Sequence, residues 1–134
     1  MDIQLHKSIG LDLLEYCERF PSMRFRCEIK IDYLYSALSF EYDSLWVESS
    51  VWDNWLKQIK ELDGGDIELA ELSDLDQDFY ICVTKSSPKS YEMRLSVTVK
   101  EIGKPEAKLN LLFALSLDCF AKLLASSEDF PIMW

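Results

Sequence analysis

A chain of 134 residues with 49% hydrophobic and 13% aromatic side chains, and only four glycines and four prolines, has the composition of one packed domain spanning residues 1–134, not of a disordered or fibrous protein. Twenty-four acidic residues against 14 basic ones leave a net charge near −10, which argues against nucleic acids and anionic membranes as partners, since phosphate contacts need a basic surface. The cysteines, Cys17, Cys27, Cys82 and Cys119, lack metal-ligand spacing and read as reduced core residues; with no leader-like N-terminus and no run of 18 apolar residues, the expected compartment is the cytoplasm.

In chain order, weak apolar alternation marks a first strand over residues 2–7. Residues 12–20 are ambiguous, because Leu13, Tyr16, Cys17 and Phe20 suit a helix while the short length and the strand that follows favour an extended segment; strand is the preferred reading. MRFRCEIKI then sets Met23, Phe25, Cys27, Ile29 and Ile31 on one face and Arg24, Arg26, Glu28 and Lys30 on the other, a strict period of two that predicts a half-buried strand. A weaker strand follows over 34–42.

At Ser50 the period becomes helical: Trp52, Trp55, Leu56, Ile59 and Leu62 share one side, Ser49 or Ser50 is placed to cap the free amides, and Gly64 to end the helix in a left-handed turn. The two tryptophans read as core anchors. Further strands are expected over 67–72 and 79–84, then over 91–101, where Tyr91, Met93, Leu95, Val97 and Val99 alternate with polar residues, and over 107–115. LDCFAKLLASSEDF predicts a second helix, after which DFPIMW trails off.

Strands followed by a helix thus occur twice, with WDNWLKQI and LDCFAKLL matching at Asp53 and Asp118, Trp55 and Phe120, and Lys57 and Lys122. The expected fold is α+β: a mainly antiparallel sheet, curved or split in two, with two helices on one side.

No phosphate-cradling loop, zinc-protease motif or nucleophile elbow occurs, and His6 has no serine or cysteine setting around it, so no catalytic residue and no cofactor is assigned. DLDQD at 74–78 opens like a calcium loop, but the sixth and twelfth places hold Phe79 and Lys85 where glycine and a bidentate glutamate are needed, so no metal is assigned either.

The remaining signal is the stretch ELDGGDIELAELSDLDQD, which holds eight carboxylates and no lysine or arginine: Glu61, Asp63, Asp66, Glu68, Glu71, Asp74, Asp76 and Asp78. With Ile67, Leu69 and Leu72 turned inward, these acids would form a continuous exposed strip, and crowded like charges favour a docking surface for a basic protein. Tyr80 and Trp46 are candidate aromatic anchors at its rim.

GLDLLEYCERF with the alternating strands after it, SSVWDNWLKQIKELDGGDIELAEL, DFYICVTK and LNLLFALSLDCFAKLLAS resemble, over nearly the whole chain, the WapI-like immunity proteins that accompany bacterial contact-dependent and other polymorphic toxins. That resemblance implies a non-enzymatic protein that binds the C-terminal domain of a cognate toxin. The strands-then-helix order is also similar to Whirly folds, whose single-stranded DNA binding the charge opposes. The second class of function is an acidic adaptor or regulatory module for an endogenous protein, and exposed strand edges allow a homodimer.

Overall fold

The computed structural model describes residues 2–130, without the side chain of Asp2. The final residues, 131–134, where the chain was expected to trail off, lie outside that range. Two antiparallel sheets of four strands each follow the chain order. The first holds β1 (Asp2–His6), β2 (Ile9–Cys17), β3 (Ser22–Asp32) and β4 (Ala37–Glu48), and leads into α1 (Ser49–Gly64). The second holds β5 (Leu69–Ser73), β6 (Phe79–Ser87), β7 (Ser90–Val99) and β8 (Ala107–Ser116), and leads into α2 (Leu117–Glu128). The expected α+β class and the duplication are both present, with the sheet split in two.

The strict alternation of β3 and β7 survives intact: Met23, Phe25, Cys27 and Ile29 are buried from one sheet, and Tyr91, Met93, Leu95 and Val97 from the other, in one shared core. β2 and β4, which the sequence marks less clearly, carry bulges. In β2 the pairing slips between Leu13 and Glu15, so Leu13 faces Phe25 and Tyr16 faces Met23; this puts two core-packed residues three apart and counterfeits a helical period. In β4 it slips opposite the step from Phe25 to Cys27, around Asp43 and Ser44, which is why alternation faded there and the strand was expected to end at 42 when it runs to Glu48. Its start also moves, because the Tyr33 amide donates to the Ser36 carbonyl at 2.8 Å and makes 33–36 the hairpin turn.

Each half passes from strand to helix without a loop, from Glu48 to Ser49 and from Ser116 to Leu117. The cap of α1 differs from expectation. Glu48 holds that place with no side-chain bond, because Ser49 is buried and its amide is taken by the Pro21 carbonyl at 2.9 Å. In α2 the Ser116 hydroxyl accepts from the Cys119 amide at 3.2 Å, an ordinary cap. At the other end of α1 it is Gly65, with φ 81°, that takes the left-handed position assigned to Gly64.

Counted from these junctions, Trp52 corresponds to Phe120, Trp55 to Leu123 and Ile59 to Ser127, all buried. The match of Trp55 with Phe120 is therefore slipped by about one turn, an error that helical spacing permits because residues three apart share a face.

The helices are exchanged between halves. α1 packs on β5 and α2 on β1. Each helix also gives a side-chain acceptor to an otherwise unpaired amide of that edge strand: Gln58 Oε1 accepts from Glu71 N–H at 3.0 Å, and Ser126 Oγ from Gln4 N–H at 2.8 Å. The core beneath is aromatic. Trp52 and Phe130 meet edge-on with ring centres 5.3 Å apart, Phe25 lies within 6.1 Å of both, and Tyr91 stacks on Phe120 at 3.8 Å. Phe130, expected in a trailing tail, is 4% exposed and closes this cluster. Truncation there leaves a cavity against two rings, so Phe130→Ala is expected to lower the unfolding free energy by about 3 kcal/mol in urea titration. A loss under about 1 kcal/mol would show that the cluster closes without it.

Candidate functional site

The acidic stretch runs from the last turn of α1, through a short connection, along β5 and into the β5–β6 turn. Glu61 and Asp63 lie on the last turn, and the cap at Gly65 swings the chain outward, with the Asp66 amide donating to the Glu61 carbonyl at 2.9 Å. Ala70 and Leu72 are the buried residues of β5. Leu69, expected to face inward, is 39% exposed instead and shares the outer face with Glu71, because the strand begins only at Leu69 and its inward set starts at Ala70. Glu71 Oε2 accepts from the Tyr80 hydroxyl at 2.7 Å, a bond that, with burial second, raises the phenol's pKa well above its ordinary value. Tyr80 thus stands beside the acids as expected, engaged with one of them.

Asp74 departs from the exposed strip. It is 5% exposed, and its Oδ1 accepts from the amides of Asp78 at 2.9 Å and Phe79 at 3.1 Å. Its carbonyl accepts from Gln77 at 3.3 Å, where the chain takes a left-handed φ of 58°, and its amide donates to the Phe79 carbonyl at 3.2 Å. This carboxylate organises the turn from inside, leaving Asp76 exposed and Asp78 half-buried. Leu75 ties the turn to the other sheet, its amide donating to the Trp46 carbonyl at 2.8 Å. Trp46 therefore meets the site through its backbone. Its side chain is half-buried on the outer side of β4, in register with Arg24.

Two members were not foreseen. Tyr42 has its pKa raised by burial and then by Asp74, Asp78, Asp76 and Asp43, so a phenol stands among four carboxylates. Tyr42 and Asp43 lie more than 30 residues away on β4, and only the contact between sheets unites them with the turn. No local signal could have found them.

The acids therefore form two groups, not one strip. Asp63, Asp66 and Glu68 precede β5; Asp76 and Asp78 follow it, close enough to Tyr42, as Asp43 is, to raise its pKa. The strand between spans about 14 Å, more than the roughly 8 Å screening length at physiological salt, so the groups act independently, with Glu71 between them. Among the described residues Lys57 is the one cation paired with the stretch, 3.9 Å from Glu61. The other ion pairs lie elsewhere: Arg24 with Glu15, Arg26 with Glu41, Lys60 with Glu128, Lys100 with Glu106, Lys104 with Glu101 and Lys122 with Asp118. Asp63, Asp66, Glu68, Glu71, Asp76 and Asp78 face water without a cationic partner from the described residues.

Among those residues no three His, Cys, Asp or Glu side chains converge as metal ligands, and no helix is long and apolar enough to cross a membrane. All four cysteines are unbonded; Cys27 and Cys82 are buried, while Cys17 and Cys119, expected in the core, are only half-buried. Burial and then Glu28 push the Cys27 thiol up to about 12. His6 is half-buried against Phe113, with Nδ1 accepting from the Ser8 amide at 3.1 Å, and burial lowers its pKa. Comparison with protein-family models, with curated proteins and with solved structures gives no match.

The pKa of Asp74 is raised by burial, against the pull of its two amide bonds, with Asp76 and Asp78 adding to the rise. A carboxyl raised on folding supports the fold while protonated, and that support is lost as pH rises through its folded value. Asp74→Asn keeps an oxygen for both amides and removes the buried charge, so its melting temperature relative to the parent should improve from about pH 4 to about pH 7. Asp74→Ala leaves both amides unsatisfied and should cost about 1–3 kcal/mol across that range. If Ala and Asn behave alike in a pH series of thermal melts, the carboxylate does not organise this turn.

Proposed function

We propose that this protein is an immunity-type inhibitor, one that binds and neutralises the toxic C-terminal domain of a secreted bacterial effector, plausibly a basic nuclease, and does so without catalysis or a cofactor. The observation that carries this reading is the set of carboxylates along α1, β5 and the β5–β6 turn, six of them without a cation from the described residues and five of those six exposed to water. Unrelieved like charge repels itself, and a surface of lysines and arginines that otherwise grips phosphate would relieve it. The resemblance of the sequence to WapI-like immunity proteins agrees with this use, and in this reading the protein acts in the cytoplasm, where an incoming toxin domain would be met.

Charges at the two ends of β5 steer encounter, while Tyr80, held by Glu71, and the half-buried Tyr42 supply aromatic surface beside them. Inhibition follows from covering the partner's anion-binding surface. An acidic adaptor for an endogenous basic protein would use the same edge, and the partner's identity separates the two.

The test is co-expression with the C-terminal domain encoded by the adjacent large open reading frame. Rescue of growth supports an immunity role; a toxic domain that this chain neither binds nor neutralises overturns it. In the complex, Glu68→Lys, Glu71→Lys and Asp76→Lys together should slow association about tenfold or more and flatten its salt dependence, read by stopped-flow at several ionic strengths, with little change in melting temperature. Unchanged association kinetics would remove this edge from the interface.

A further inference from the structure

We propose that two copies of this chain associate through the free edge of β4 and the apolar tip of the β3–β4 hairpin. Three large side chains stand exposed at that tip: Tyr33 at 54%, Leu34 at 85% and Tyr35 at 95%. The run 33–40, YLYSALSF, has no charged residue in a chain that is 28% charged. Beyond the tip, β4 pairs only with β3, and from Ala37 to Ser44 no residue is buried. No other backbone group among the described residues bonds that part of its outer edge.

The duplicated fold supplies an internal control. The β7–β8 hairpin occupies the equivalent place and leaves β8 equally open, yet its tip is charged and carries ion pairs between Lys100 and Glu106 and between Lys104 and Glu101. Pro105 precedes β8 and Lys108 lies on it, residues that discourage another strand from adding to an edge. β4, ALSFEYDSLWVE, contains no lysine, arginine or proline. The fold tolerates a guarded, charged hairpin, so the apolar one is not a requirement of architecture.

Charge selects the occupant. Two chains of net charge near −10 repel over most of their surfaces, and the uncharged run is where two copies approach without setting carboxylates against each other. An antiparallel pairing with its two-fold at Ser39 sets Ala37 against the copy's Glu41 and Tyr35 against its Asp43, so no two acids face across the seam. The three tip side chains alone offer roughly 450 Å² per copy. With the strand edge added, two copies reach the roughly 1,000 Å² that a specific interface needs.

Sedimentation equilibrium of the purified chain at about 10 µM should give twice the 15.6 kDa chain mass. The double variant Leu34→Lys, Tyr35→Lys should halve that mass, and at a concentration low enough to keep the parent monomeric its melting temperature should match the parent's, since both side chains lie in water in the single chain. Ile102→Lys, at the fully exposed tip of the other hairpin, should leave the dimer intact. In the parent, amide exchange over 37–41 should slow as concentration rises through the dimerisation range. A parent that is monomeric at that concentration, a dimer that survives the double variant, a dimer lost equally in Ile102→Lys, or exchange at 37–41 independent of concentration overturns the proposal.

Discussion

The reciprocal seating of each helix on the first strand of the other half is the interaction on which the rest of the molecule depends. A four-stranded sheet with one apolar face and a bare first edge cannot stand alone. Here α1 covers β5 and α2 covers β1, while one core fills the space between the sheets. Gln58 and Ser126 extend the arrangement to the backbone by accepting from edge amides that sheet pairing leaves free. Neither half would bury its strands without the other.

That exchange also decides where charge ends up. Because α1 must cross to β5, its acidic last turn is carried to one end of that strand, and the β5–β6 turn at the other end is brought against β4, where Leu75 bonds Trp46 and Tyr42 meets four aspartates. Asp74 shows what such placement costs and what it secures. Its buried carboxylate forgoes hydration, and in return two amide bonds shape a turn that keeps Asp76 exposed. Most lysines and arginines with ion partners neutralise acids on other faces, so the negative edge persists by distribution as well as by composition.

Local pattern was a faithful guide wherever the backbone stayed regular. β3 and β7 keep a period of two throughout, and the buried face of α1 is the one that Trp52, Trp55, Ile59 and Leu62 mark. It misled where one residue was inserted. The bulge in β2 brought Leu13 and Tyr16 to one face at helical spacing, and the bulge at Asp43 and Ser44 concealed the second half of β4. Around β5, Ile67, Leu69 and Leu72 suggested an inward face, but Leu69 lies outside because the strand begins only there and its inward set is Ala70 and Leu72. The acidic stretch was plain as composition; its division into two groups, and the burial of one member, were not.

The sequence by itself determined the α+β class, the two rounds of strands and helix, the residues that alternate into the core and the density of negative charge after α1, because each depends on neighbours a few positions apart. Only the tertiary structure decided which helix covers which sheet, that Asp74 is internal, that Tyr42 and Asp43 join the acidic turn, and that the tip of one hairpin stands bare while its counterpart is guarded. Those outcomes arise from contacts between residues far apart in the chain, where burial and backbone pairing are settled by the other half of the molecule rather than by local period.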